Sequence, residues 1–221
     1  MASTTLLLAA LAPLATFMFV SSITPGPNNL MLLASGIRFG FGRTVPHLLG
    51  ITGGMLLLLL VADAGVAALL ATWPAVGGAM TMACSLYLLW LALALLRDDG
   101  TPGEGPAAQR PLGAFGAAMF QFVNPKAWAM AVAACALGER LPLAPAPRLL
   151  LLLAVTAAIN LPCVAVWALF GRGMRQSLRQ AELRRTFNWA MAALVLATAV
   201  WMLRPLALGL AMPAAELASL R

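Results

Sequence analysis

From Met1 to Ile37 the chain carries no charged residue, and in the middle of that run stands "TPGPNN", Thr24 to Asn29. A helix that crosses a bilayer needs about 20 mostly apolar residues. The uncharged run is too long for one straight helix, and it contains the strongest helix breakers available. A proline has no backbone N–H, and its ring clashes with the carbonyl four residues earlier. Pro25 and Pro27 therefore release the carbonyls of Ser21 and Ile23. In hydrocarbon each unsatisfied backbone group costs several kcal/mol, so a break survives only where protein or water satisfies it. The chain is thus restricted to folds in which a membrane segment is interrupted and the interruption faces other polar groups.

The rest of the chain agrees with a membrane setting. Of its 221 residues 62% are hydrophobic and 10% charged, against about 45–50% and about 25% in soluble domains. Scanning at spanning length gives six segments, roughly 5–36, 45–71, 75–96, 112–137, 148–171 and 187–210. Segments two and three are parted only by the turn "TWPA". Segments three and four are joined by the Gly/Pro-rich, charged stretch "RDDGTPGEGPAAQRP". Continuous apolar runs exclude a β-barrel, whose strands alternate apolar and polar residues.

The net charge of +7 would suggest nucleic acid in a soluble protein, but here the basic residues sit in short loops. Nine arginines (Arg38, Arg43, Arg97, Arg110, Arg172, Arg175, Arg179, Arg184 and Arg185) fall on one side of a six-span arrangement. Four (Arg140, Arg148, Arg204 and Arg221) fall on the other. The positive-inside rule then puts both termini outside, and no nucleic-acid partner is expected. The N-terminus has no basic stretch of the kind that begins a cleaved signal peptide.

A second interruption echoes the first. Residues 120–134 read "FQFVNPKAWAMAVAA", and Pro125 lies 100 positions after Pro25. Pro125 releases the carbonyl of Gln121. With the linker at 98–110 the chain divides into halves of about 1–97 and 111–210, three segments each, and an odd number of spans per half inverts one half relative to the other. Inverted repeats with interrupted helices in matching positions are the common plan of secondary transporters, and the breaks point to the binding site. The expected fold is therefore all-α and polytopic: one transmembrane transporter domain over 1–221. It comprises six helices as two inverted three-helix repeats, the first and fourth helices broken.

The breaks carry the chemistry. Thr24, Asn28, Asn29 and Asn124 supply polar side chains, and the half-helix starting near Asn28 offers free N–H groups at the positive end of a helix dipole. Freed carbonyls accept from an ammonium group, so a zwitterionic amino acid matches both halves of the site. The bland alternative is a plain proline kink. Ionisable residues within spans mark functional sites by default, and Asp63 and Lys126 qualify. Lys126 either binds a substrate carboxylate, pairs with Asp63, or snorkels to an interface. Asp63 either carries a proton for antiport or sits at an interface. His47, at the start of segment two, reads as interfacial and without proton chemistry. Asn160 and Pro162 form a milder third interruption, lining the pathway or packing.

Gly50 and Gly54 have GxxxG spacing and permit close helix approach. The six tryptophans (Trp73, Trp90, Trp128, Trp167, Trp189 and Trp201) read as packing or interface anchors. Cys84, Cys135 and Cys163 are far apart inside apolar segments and form no metal or redox motif, so neither metal nor cofactor is expected. With one histidine, no HExxH and no carboxylate pair inside the spans, enzyme chemistry has nothing to work with. Transition-metal export would want Cys, His or clustered carboxylates; the alternative to an amino acid is export of another small solute or ion, ahead of an intramembrane enzyme or redox carrier.

The stretches "SSITPGPNNLMLLASGIRFGFGRTVPHLLGITGG", "YLLWLALALLR", "GAFGAAMFQFVNPKAWAMAVAA" and "LRRTFNWAMAALVLATA" resemble the LysE/RhtB family of amino-acid exporters, over about residues 15 to 205. The resemblance implies a bacterial inner-membrane exporter of amino acids or close derivatives, driven by the proton-motive force. The family's motif positions carry over to Pro25, Gly26, Pro27 and Asn28, and to Asn124, Pro125 and Lys126. One departure stands out. Many members have a polar or acidic residue shortly after the second segment's paired glycines, where this chain has "GGMLLLLL" with Met55, and Asp63 falls two turns later. The expected partners are a small-molecule substrate and the lipid bilayer, with a homodimer left open.

Overall fold

The computed structural model describes residues 2–66, 73–97 and 111–211; the linker 98–110 and the end of segment two, residues 67–72, lie outside them. The described residues are helical, with no strand among them. The first apolar run forms α1 (Ala2–Ile23) and α2 (Pro27–Phe39). Next come α3 (Phe41–Val61), closed by a wide turn at Ala62–Val66, and α4 (Pro74–Leu96). The second half contributes α5 (Ala114–Val123), α6 (Pro125–Gly138), α7 (Pro145–Met174) and α8 (Ala181–Ala211).

Among the described residues four helices are long and apolar enough to cross a membrane: Phe41–Gly65, Gly78–Leu96, Pro145–Met174 and Ala181–Arg204. The other two expected spans are each a pair of shorter helices, parted at Thr24–Gly26 and at Asn124. Prolines start both second half-helices. Pro27 and Pro125 occupy the first turn of α2 and α6, where the missing N–H would have no partner anyway.

Small residues decide the packing. A side-chain carbon on Gly50 or Gly54 of α3 would run into the Ala114 and Ala118 backbone of α5. The GxxxG pair therefore does bring a neighbouring helix close. Gly36 of α2 and Gly171 of α7 make the same kind of contact, against Ala168 and Leu33 respectively. The α2–α3 turn pivots on Gly40, whose φ of 77° is open to glycine at no steric penalty.

Helices α1, α3, α6 and α7 enclose one apolar core with Met18, Leu58, Ala131 and Leu152. A second, with Leu32, Ile51, Ala117 and Val164, joins α2, α3, α5 and α7. Helices α4 and α8 pair with each other and meet α2 through Leu30, Leu88 and Val195. Large apolar side chains such as Phe19, Trp90, Phe115, Leu150 and Trp201 remain exposed around the bundle. On a chain of this composition they form the lipid-facing surface.

Three expectations need correction. Pro162 does not interrupt its segment, because α7 runs unbroken from Pro145 to Met174 with Pro162 inside it. His47 is buried, at 2% exposure, rather than interfacial: it stands one turn before Gly50, on the part of α3 that α5 approaches closely. The second segment begins earlier than expected, at Phe41; α3 passes at Val61 into the wide turn Ala62–Val66, and the expected end of the segment at 71 lies outside the described residues. The turn beyond Val61 contains Gly65 at φ 91°.

Candidate functional site

The two breaks meet. Lys126 Nζ donates to Thr24 O at 3.2 Å, to Thr24 Oγ1 at 3.1 Å and to Pro25 O at 3.3 Å. These acceptors are backbone and hydroxyl groups of the first break, left outside both α1 and α2. Gly26 lets the lysine in: a Cβ there would stand 2.8 Å from Lys126 Nζ. The alternative pairing with Asp63 does not occur. Asp63 is exposed in the turn that closes α3, while Lys126 Nζ is taken up by the Thr24 and Pro25 oxygens. The Lys126 ammonium is thus half-buried and held by neutral oxygens alone.

A second bridge joins the halves beside the first. Asn28 Nδ2 donates to Gln121 Oε1 at 2.8 Å, and Gln121 Nε2 donates back to Asn28 Oδ1 at 3.2 Å and to Ala117 O at 2.8 Å. Gln121 is fully buried, which makes these bonds obligatory, since an unpaired buried amide costs about 1–3 kcal/mol. Asn29 stays within its own half. Its Nδ2 donates to Ser22 O at 2.8 Å and to Thr24 O at 2.7 Å, closing the break like a clip.

The third polar group is Asn160 of α7. Its Nδ2 donates to Ser22 Oγ at 3.1 Å, and its Oδ1 accepts from Thr52 Oγ1 at 3.1 Å. Asn160 thereby ties α1 and α3 to α7. Asn124 works locally: its side-chain oxygen accepts from the Lys126 amide at 3.1 Å and so caps α6. No side chain caps α2, whose N-terminus follows the extended Gly26.

The three carbonyls released by proline all find partners. Ser21 O accepts from Thr24 Oγ1 at 3.2 Å, Ile23 O from Trp167 Nε1 at 3.1 Å, and Gln121 O from the Asn124 amide at 3.2 Å. Phe122 O, whose usual helical donor is turned aside by Asn124, accepts from Trp128 Nε1 at 2.9 Å. Two of the six tryptophans are therefore hydrogen-bond donors to the breaks, while Trp73, Trp90, Trp189 and Trp201 stand exposed, as anchors would.

Between these groups lies a cavity of about 30 Å³ for water centres, room for roughly two waters. Ser21, Ser22, Gly26, Pro27, Asn28, Asn29, Gln121, Asn124, Lys126 and Asn160 form its polar wall; Ile51, Met55, Ala127, Met130 and Val164 form its apolar wall. Of the residues expected from sequence, seven line the cavity: Gly26, Pro27, Asn28, Asn29, Asn124, Lys126 and Asn160. Thr24 and Pro25 reach it through Lys126, Pro125 starts the helix that carries Lys126, and Asp63 is not part of it. Sequence reasoning missed Gln121, Ser22, Thr52, Trp128 and Trp167. Gln121 was the most legible of these, a lone amide in an apolar run one turn before Asn124.

These features define a helical membrane protein of the solute-transporter type, with two helix breaks 100 residues apart in sequence meeting at one cation. The chain belongs to the LysE type translocator family, whose pattern matches residues 19–205. It is a translocator, not an enzyme. Among its relatives, a cysteine/O-acetylserine efflux protein of Klebsiella pneumoniae is 29% identical over 189 residues, covering 84% of this chain and 92% of that protein. The protein of the same description in Escherichia coli K12 is 30% identical over 189 residues, covering 84% and 93%. No solved structure matches the chain.

Proposed function

We propose that the chain exports small amino acids and their close derivatives across the bacterial inner membrane, and that the cavity between the two breaks is where they bind. The observation that carries this reading is the Lys126 ammonium, held by carbonyls of the first break with no carboxylate beside it among the described residues. A zwitterion fits such a site by exchange. Its carboxylate takes Lys126 and the uncapped start of α2, where the helix dipole favours an anion. Its ammonium takes the Thr24 and Pro25 carbonyls that Lys126 gives up. Asn28, Asn29, Asn124 and Asn160 hold the surrounding backbone in position for that exchange, together with Pro25, Pro27 and Pro125.

The cavity admits about two waters, so a bound amino acid requires the helices to part. The apolar wall of Met55, Met130, Ile51 and Val164 suits a short side chain. The relatives' names, which give cysteine and O-acetylserine as cargo, support the same size class.

The halves 1–97 and 111–210 act as inverted three-helix repeats in a six-span domain. The helix pairs support this. Exchanging α1/α2 with α5/α6, α3 with α7 and α4 with α8 carries the α3–α5 pair onto α7–α1, and α2–α7 onto α6–α3. It leaves α3–α7 and α4–α8 unchanged, and every one of these pairs packs in the bundle. Alternating access then amounts to rocking one half against the other around the fixed site.

Export runs by proton antiport, with Asp63 as the proton carrier. The test is efflux from loaded vesicles against a panel of amino acids and their N-acetyl analogues, with and without an uncoupler. Cysteine, O-acetylserine and amino acids of similar size should leave, while the N-acetyl forms, lacking the ammonium, should not. A panel in which no amino acid moves faster than in empty vesicles would overturn the reading. Substituting Asp63→Asn should leave substrate-driven exchange intact and remove its dependence on the pH gradient; unchanged pH dependence would put the coupling elsewhere.

A further inference from the structure

Among the described residues, four buried side-chain atoms have no hydrogen-bond partner: both ring nitrogens of His47, Ser85 Oγ and Thr156 Oγ1. An unpaired buried polar group is destabilising, and native structures keep few of them. Two of the three residues stand in a simple relation to the cavity. His47 lies one helical turn before the cavity-lining Ile51 on α3. Thr156 lies one turn before the cavity-lining Asn160 on α7. Residues four apart share a helix face, so each orphan group continues the cavity wall along its own helix.

The two continuations run in opposite directions. The Thr52–Asn160 hydrogen bond sets α3 and α7 side by side at the level of the cavity. The C-terminal part of α7, at Ala168 and Gly171, packs against Gly36 and Leu33 of α2, close to the turn at Gly40 where α3 begins. Helices α3 and α7 are therefore antiparallel. Going from the cavity toward that turn leads to His47, and going the other way leads to Thr156. Both are closed over by packing, at 2% and 0% exposure. Ser85 has no such relation: it sits on α4, outside the cavity lining, next to Cys84 in the α4–α8 core.

We propose that His47 and Thr156 line the two closed half-channels of the transport path, one on each side of the cavity, and that each touches the solute or its water when its side opens. Their lone polar atoms are satisfied only in the opened states, which lowers the free energy of those states relative to the closed one. The inference rests on the translocator reading of the cavity.

The test uses single cysteines at the three positions, with Cys84, Cys135 and Cys163 replaced by alanine, in sealed vesicles of both orientations treated with a small membrane-impermeant thiosulfonate. His47→Cys should react from one membrane face and Thr156→Cys from the other, each about tenfold faster than Ser85→Cys, because the open states are sampled as minor populations. Saturating O-acetylserine should change the two rates. Labelling of both from the same face, or at the Ser85→Cys rate, overturns the proposal. A second measurement needs no substitution. His47 is the chain's one histidine, so its carbethoxylation by diethyl pyrocarbonate can be followed in the natural protein, purified without a polyhistidine tag. The expected result is slow modification that O-acetylserine alters and that stops export; a His47 that stays inert in protein actively exporting overturns the proposal. Opposite-sided labelling without amino-acid export would keep the path and remove the solute assignment. Export with both positions inert would keep the function and remove the path.

Discussion

The two helix breaks are built from similar residues and are satisfied differently. The second, at Asn124, takes one residue out of the helix and looks after itself. Asn124 caps α6 through the Lys126 amide, its own amide returns to Gln121 O, and Trp128 covers Phe122 O. The first break takes out three residues, Thr24 to Gly26, and has no capping side chain on α2. Beyond the internal bonds of Asn29 and Thr24, it leans on the other half of the chain: Lys126 on Thr24 and Pro25, Gln121 on Asn28, Trp167 on Ile23 and Asn160 on Ser22. A break satisfied from within is a rigid scaffold. A break satisfied by groups on the opposite half has bonds that a ligand, or a movement between halves, can replace. The first break is thus the adaptable side of the cavity, and the second holds out the cation that reaches across.

The largest effect expected from this asymmetry comes from Lys126. Substitution Lys126→Ala should reduce export about ten- to a hundredfold, since removing a charge-assisted partner of a bound carboxylate costs about 1.5–3 kcal/mol. Membrane insertion should be unaffected. Efflux from vesicles matched for protein content measures it. Normal export by this variant would mean that the second break contributes no binding group, and the contrast between the two breaks would lose its functional meaning.

Next in size is the Asn28–Gln121 bridge. Asn28→Ala and Gln121→Leu should each lower thermal stability in detergent by about 1–3 kcal/mol, because each leaves a buried amide short of a partner. The double variant should lose less than the sum, with a coupling of about 0.5–3 kcal/mol. Strict additivity would disconnect the halves at this point. Trp167→Phe should follow, at about 1–2 kcal/mol for the orphaned Ile23 carbonyl. Its KM for export should stay unchanged, because Trp167 supports the break from outside the cavity.

The sequence made the breaks legible because proline acts through its own chemistry: it removes an N–H and displaces a carbonyl wherever it sits. It also made Lys126 and Asn160 stand out as polar groups in apolar runs. The partners were another matter. Backbone carbonyls such as Thr24 O and Pro25 O carry no residue identity, so nothing in the letters tells which of them Lys126 will find. Ser22 and Thr52 are hydroxyls that usually bond within their own helix, and only the crossing of α1, α3 and α7 recruits them to Asn160. Trp167 looks like any membrane tryptophan until Ile23 O, 144 positions away, arrives beside its ring. Asp63 shows the converse. Its apolar flanks suggested a residue deep inside a span, while Asp63 is exposed in the wide turn Ala62–Val66, within the last residues of the Phe41–Gly65 span.

The smallest effect separates scaffold from site most sharply. Asn124→Ala removes the α6 cap and should cost about 1 kcal/mol of stability. Asn124→Asp, which keeps the accepting oxygen, should recover most of that loss. Because the second break is otherwise held by Trp128 and by its own amide, α6 should still begin at Pro125 and still present Lys126 across the cavity, so export should fall only a few-fold, in step with the fraction of folded protein. Thermal stability and export measured on the same preparations decide it. If Asn124→Ala instead lost export as completely as Lys126→Ala while remaining folded, Asn124 would be touching the solute itself, and the second break would be as much a part of the adaptable wall as the first.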